Sequence, residues 1–221
     1  PEPVVVVLDP GHNGGNAANP REINRLVPAG GFRKPCNTTG TATDSGYAEH
    51  AFAWDVARRA ARLLRREGVS VVLTRPDDHC VGPCVNQRAR IANRQNAALA
   101  VSIHADGAAV RVRGFHVAAP ALSPDRKNRA ILAPSSRAAR LLIDAFEDAT
   151  GEPRATYPGA LVAPGLTRRD DLAGLNLARV PAVLIECANL RNPEDAANAR
   201  SPAWRQRAAR GIARGVLAFV G

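Results

Sequence analysis

Val4 to Leu8 is an unbroken run of valine and leucine that ends at Asp9-Pro10-Gly11. Consecutive β-branched residues without polar alternation fit a strand buried on both faces, and the Pro-Gly pair turns the chain at its end. Val69–Thr74, Leu99–Ile103 and Pro181–Ile185 read as further strands, and Gly114–Ala118 reads as a strand too. Between these runs the period changes. From Tyr47, Phe52, Val56, Leu63 and Leu64 form one apolar stripe that Gly68 closes, and residues 86–98 read as a second helix. Ser135 is expected to cap a third helix with Leu141, Leu142, Ala145 and Phe146 inward, stopped by Gly151. Asn192-Pro193-Glu194-Asp195 and Ser201-Pro202 are two more helix starts, the last helix turning Trp204, Ala208, Ile212, Val216 and Phe219 inward.

Strands alternating with helices along the whole chain predict an α/β fold: a single domain, residues 1–221, with a twisted, mostly parallel sheet and helices on both faces. The length of 221 residues is enough to bury about 70% of the unfolded chain's surface. No run of about 18 apolar residues occurs, so no membrane span is expected. Two stretches lack periodicity, a Gly, Asn, Pro and Thr-rich one from Gly14 to Gly46 and a polar one from Glu152 to Arg179. A long irregular stretch in a compact domain usually serves a site.

Thirty Lys and Arg against 20 Asp and Glu give a net charge of +10, which raises nucleic acid as a partner. Aromatic residues are only 4%, which leaves no stacking platform, and arginines such as Arg58, Arg62, Arg65 and Arg66 follow solvated helical faces. No nucleic-acid partner is expected. Methionine is absent and the chain opens on Pro1-Glu2-Pro3, which reads as a processed or trimmed chain.

The four cysteines allow three complete pairings. Cys80 and Cys84 share a Gly/Pro loop, in a spacing that fits half of a zinc site or a short disulfide. The expectation is one disulfide among Cys36, Cys80 and Cys84, with Cys187 a buried thiol.

Parallel strands place their C-terminal ends on one edge of the sheet, where α/β folds carry their sites. The first strand leads to Asp9 and His12, a later one to His104, and the last to Glu186. Glu49 opens the first helix beside the long polar loop and reaches the same edge. Two imidazoles and a carboxylate match the ligand set of zinc hydrolases, and a further carboxylate would serve as base toward a water. No local metal-binding spacing such as His-Glu-x-x-His occurs, so the residues alone leave this open.

The segment Val6-Val7-Leu8-Asp9-Pro10-Gly11-His12-Asn13-Gly14-Gly15 resembles the opening motif of the zinc-dependent N-acetylmuramoyl-L-alanine amidases of the amidase-3 type, bacterial cell-wall enzymes. Glu49 before a long helix, Thr74-Arg75 with Asp77 or Asp78, Arg88, Ala92-Asn93, and Ser102-Ile103-His104-Ala105 follow in that family's order. Pro181 to Glu186, with Asn192 and Asp195 after it, resembles its last motif, so the likeness runs from about residue 4 to residue 219.

This resemblance implies that His12, Glu49 and His104 bind Zn2+ and that Glu186 is the catalytic carboxylate. The implied reaction is hydrolysis of the amide between the lactyl group of N-acetylmuramic acid and the L-alanine of the peptidoglycan stem peptide. A zinc peptidase cutting within the stem peptide and a non-catalytic peptidoglycan-binding protein are the alternative readings. The implied partners are peptidoglycan or muropeptide fragments, for a monomer secreted or periplasmic at the bacterial wall, with no separate wall-binding module. The absent initiator then reads as removal of an export signal, which suits a disulfide. His50, next to Glu49, points about 100° away from it on a helix and is not expected to share its ion. His79 and His116 are expected to be structural or surface residues. Asp106 stands where the family often has Asn, and Cys187-Ala188-Asn189 where Gly-Phe commonly follows the catalytic Glu. Arg21 to Cys36 reads as a variable insertion that partly covers the cleft.

Overall fold

The computed structural model describes residues 3–221. In chain order it comprises β1 (Val5–Pro10), α1 (Pro20–Ile23), β2 (Leu26–Pro28), β3 (Arg33–Pro35), α2 (Glu49–Arg66), β4 (Ser70–Leu73), α3 (Val85–Arg94), β5 (Leu99–Asp106) and β6 (His116–Pro120). There follow α4 (Leu132–Thr150), entered through a 3-10 turn at Arg129–Ile131, then β7 (Leu161–Ala163), β8 (Leu166–Arg169), α5 (Ala173–Asn176), β9 (Ala182–Asn189), α6 (Pro193–Arg200) and α7 (Pro202–Val220). Seven strands form one sheet in the order β4-β1-β5-β9-β6-β8-β7, and β2 and β3 form a separate hairpin. The pairings β4–β1, β1–β5, β5–β9 and β6–β8 are parallel, while β6 runs antiparallel to β9 and β7 antiparallel to β8. The mostly parallel sheet expected from the alternation is present, with helices on both faces.

One face is covered by the long helices α2, α4 and α7, whose Phe52, Phe146 and Trp204 meet over Val6, Leu8, Val101, Ile103 and Ile185. The Trp204 ring centroid lies 6.2 Å from both Phe52 and Phe146, a spacing that suits tilted and edge-on aromatic contact. Helix α7 approaches α4 closely because Gly211 and Gly215 lack side chains: a Cβ there would stand 2.8 Å from the Phe146 Cα and 2.7 Å from the Leu142 Cα. Among the described residues, the other face carries the short helices α3 and α5, over two smaller clusters around Val7 and Ala92 and around Leu175 and Ala182. This thin cover leaves room for a cleft.

Several local expectations change. The 14–46 stretch is not featureless: Pro20 starts α1, and Leu26–Pro28 pairs with Arg33–Pro35. The 152–179 connection contains β7, β8 and α5. Ser135 is not a cap, because α4 starts a turn earlier, at Leu132. Its buried Oγ accepts instead from the Ala182 amide of β9 at 3.0 Å, so a helix-starting residue type serves as a tie between layers. Gly151 ends α4 in the left-handed conformation, as expected, and Asn192 and Ser201 cap α6 and α7 through their side chains. The disulfide is Cys36–Cys84, with Cys80 exposed and Cys187 buried as free thiols. Among the described residues no helix is long and apolar enough to cross a membrane.

Candidate metal centre

β5 extends to Asp106, three residues beyond the apolar run, and its pleat decides what it presents. Val101, Ile103 and Ala105 enter the three-helix core, while Ala100, Ser102, His104 and Asp106 line the opposite cleft. His104 pairs in register with Glu186 on β9, so an imidazole and a carboxylate project side by side from neighbouring strands. Glu49 is the first residue of α2 and is 4% exposed, its side chain aimed at the sheet edge. His12 follows the turn after β1 with φ of 56°, a left-handed conformation rare for non-glycine residues and common at functional sites.

These three side chains converge. Glu49 Oε1 lies 3.1 Å from His12 Nε2 and 2.9 Å from His104 Nδ1, and one ligand-type atom from each residue falls within a 4.8 Å set. Glu49 Oε2 accepts from the Thr41 amide at 2.9 Å, and His12 Nδ1 meets the Thr38 carbonyl oxygen at 3.0 Å. Burial alone would raise the Glu49 carboxyl, but the facing imidazoles hold it far below the usual carboxylate range. Burial alone would lower His12, but Glu49 and the Thr38 carbonyl raise it above an ordinary histidine. Two nitrogen donors and a carboxylate oxygen, with His12 and Glu49 fixed by the outer partners Thr38 and Thr41, suit a zinc-type cation. Glu186 is not part of the triad. Its Oε2 is buried with no hydrogen-bond partner, and burial, Glu49 and Asp106 push its pKa well up against the pull of Arg169. A raised carboxyl beside a cation-binding set is suited to exchanging a proton with water.

Outer contacts hold these residues in place. Arg88 Nη1 donates to Asp9 Oδ1 and to the Pro10 carbonyl, each at 2.7 Å, while Nη2 donates to the His12 carbonyl at 2.7 Å. Asp9 therefore anchors the turn rather than joining the triad. Burial would raise its carboxyl, but Arg88, Ser102 and Thr74 lower it to about 2. His50 turns away from Glu49 to Asp78, at 2.8 Å, as the helical angle required. Arg75, buried, ties Asp78 to the Pro10 and His50 carbonyls. The Cys36–Cys84 bond pins the segment that leads to Thr38. Gly11 passes directly over His104, and a Cβ there would penetrate the imidazole.

His116 is the first residue of β6, not an interior one, and is paired in register with Glu186. Its Nε2 stands 3.6 Å from Asp106 Oδ2, which also accepts from the Tyr157 hydroxyl at 3.1 Å. Residue reasoning overlooked Thr38, Tyr157 and Arg169. None carries a local signal, because Thr38 and Tyr157 reach the site from loops and Arg169 from the end of β8, all remote in sequence from Glu186. His12, Glu49, His104, Asp106 and Glu186 open into a cleft of about 410 Å³, within the range of small-molecule sites. Lys34 and Pro35 of β3 form part of its wall.

Comparison with known proteins agrees in extent. The sequence profile of the family described as N-acetylmuramoyl-L-alanine amidase matches residues 6–218. The chain is 44% identical over 220 residues to an N-acetylmuramoyl-L-alanine amidase of Mycobacterium tuberculosis, covering 98% of this chain and 86% of that protein. It is 26% identical over 242 residues to the N-acetylmuramoyl-L-alanine amidase AmiA of Escherichia coli, covering 97% and 75%. Among solved structures, the N-acetylmuramyl-L-alanine amidase of Mycobacterium smegmatis superposes with a TM-score of 0.90 at 44% identity, covering 99% of this chain and 97% of that one. The Mycobacterium abscessus counterpart gives 0.90 at 42%, covering 99% of each.

Proposed function

Because the chain belongs to the N-acetylmuramoyl-L-alanine amidase family, we propose that it is a zinc hydrolase that cleaves the amide between the lactyl group of N-acetylmuramic acid and the L-alanine of the stem peptide. The observation that carries this reading is the meeting of His12, Glu49 and His104 within 4.8 Å, beside the unpartnered carboxylate of Glu186. His12, Glu49 and His104 are the residues that would hold the ion. Zinc bound there would supply Lewis-acid polarisation of the scissile carbonyl and lower the pKa of a water.

The chain's own residues do the rest. Glu186 takes a proton from the attacking water at its free oxygen and returns it to the departing alanine nitrogen. Glu49 keeps its negative charge because the imidazoles face it, so it stays a ligand rather than a competing base. Thr38 fixes the His12 ring and Thr41 fixes Glu49, so the donors need not reorganise during turnover. The mouth is walled by the β2–β3 hairpin, which Asn176 fastens by donating to the Ala29 carbonyl at 2.9 Å.

The substrate places the enzyme outside the cytoplasm, at the wall. Walls carry anionic polymers, and a net charge of +10 holds a small basic protein against them. Wall binding that falls as salt rises would support this part of the reading. The deciding experiment digests a defined muramyl peptide with the purified protein, with and without chelator. Mass spectrometry should find the new amine on L-alanine, chelation should abolish the product, and added zinc should restore it. A new amine inside the stem peptide, or turnover that survives chelation, would overturn the reading.

A further inference from the structure

The cleft has a second region that the hydrolytic residues do not use. Three neighbouring strands present alternate residues to it. Their polarity falls steadily from the C-terminal edge inward, from His104 through Ser102 to Ala100 on β5 and from Glu186 through Leu184 to Ala182 on β9, with Asp9 giving way to Val7 on β1. Val85, Ala89 and Ala92, spaced along one face of α3, form one wall, and Leu172, Leu175 and Ala178 around α5 form the other. The clusters under α3 and α5 remain separate, and Ala100 and Leu184 between them stay partly exposed.

Depth follows from strand geometry. Four residues separate Ala100 from His104 and Ala182 from Glu186, about 13 Å at the usual rise. An extended alkyl chain advances roughly 1.25 Å per carbon, from a C–C bond near 1.5 Å, so the arm accommodates about ten carbons. The mouth has the opposite character. Lys34 lines it, half-buried, and its ammonium donates to the Asp171 carbonyl at 3.1 Å. Among the described residues no carboxylate stands within ion-pair distance of it. A cleft with an apolar arm and a lysine ammonium in its lining is complementary to a molecule with an anionic head and a straight apolar tail.

We propose that this arm binds a medium-chain monocarboxylate, a fatty acid, with its tail beneath α3 and α5 against Ala100, Ala182 and Leu184 of the sheet and its carboxylate turned outward toward Lys34. Occupation would place the head beside the His12–Glu49–His104 set and block the cleft. The tail contacts do not depend on hydrolysis or on a bound metal, so the inference stands apart from the proposed activity.

The test is calorimetric titration of the zinc-loaded and the zinc-stripped protein with n-alkanoates of four to twelve carbons, below their micellar concentrations. Each added methylene should tighten binding about fourfold, the ratio that burial of one methylene gives. The gain should stop near ten carbons and have the same slope in both metal states. Ala100→Leu should shorten the plateau by one or two carbons. Lys34→Gln should weaken every chain length several-fold without moving the plateau. Should Ala100→Leu fail to fold, Ala89→Leu narrows the arm from the helix side and is read the same way. Affinity independent of chain length, a gain that continues unchanged to twelve carbons, or a plateau unmoved in the folded variant would each overturn the proposal.

Discussion

Arg88 and Asp9 form an ion pair at 2.7 Å beneath the turn that carries His12, and the same guanidinium donates to the His12 carbonyl. The pair couples the end of β1 to α3, and it holds a histidine in a backbone conformation that such a residue rarely adopts unaided.

Arg88→Met should therefore destabilise the fold by about 2–3 kcal/mol, because the partly buried Asp9 carboxylate loses its charged partner and keeps only Ser102 and Thr74. Asp9→Asn with Arg88→Met should cost much less than the two single changes summed. Urea unfolding measures all three, and additive losses would show that the pair is not coupled.

Gly11→Ala tests the packing over the metal centre. The added methyl must displace the His104 ring, so metal affinity should fall at least tenfold while the circular dichroism spectrum is unchanged. Elemental analysis after dialysis reads this out. Full metal content in the variant would mean that the ring position is not critical.

Glu186→Gln should keep metal stoichiometry and Tm, because its free oxygen has no partner to lose. Its kcat should drop by about two to four orders of magnitude, the range of a lost general base. Near-normal turnover would remove Glu186 from the mechanism. In contrast, His12→Ala and His104→Ala should lose the metal itself.

A pH-sensitive cluster lies away from the centre. Arg113 sits between Glu152, Glu194 and Asp195, with Glu152 and Asp195 fully buried. Burial and the Asp195 carboxylate raise Glu152 to about 7. Its folded pKa exceeds its unfolded one, so its contribution to stability is complete below about pH 4.5 and is lost as pH rises through 7. Tm should accordingly decline between pH 5 and 8, by the equivalent of a few kcal/mol at most. Glu152→Gln should flatten that decline, and an unchanged slope would point to another group.

The sheet strands and the long helices were legible because burial writes itself into period: Val4–Leu8, the Phe52–Leu64 stripe and the Trp204–Phe219 stripe each have one structural solution. Boundaries were less so. β5 runs on to Asp106 because polar residues can occupy a strand that faces a cleft, and periodicity of apolar residues cannot register that. Ser135 was misread because a serine that caps a helix and a serine that bonds a neighbouring strand look alike in sequence. The pairing of Cys36 with Cys84 rather than Cys80 depended on where the 77–84 loop docks.

The order of Asp9, His12, Glu49, His104 and Glu186 along the chain, and their places at strand ends and a helix start, were determined by the sequence alone. Local pattern sets which element a residue ends, and parallel strands share one edge. What only the tertiary structure decided is which of them meet: that His12 and His104 share one oxygen of Glu49, that Asp9 is held by Arg88, and that a short pair of helices leaves an apolar arm open behind the centre. Contact between residues 37 and 55 positions apart is set by strand register and helix packing, and those depend on every layer of the core at once.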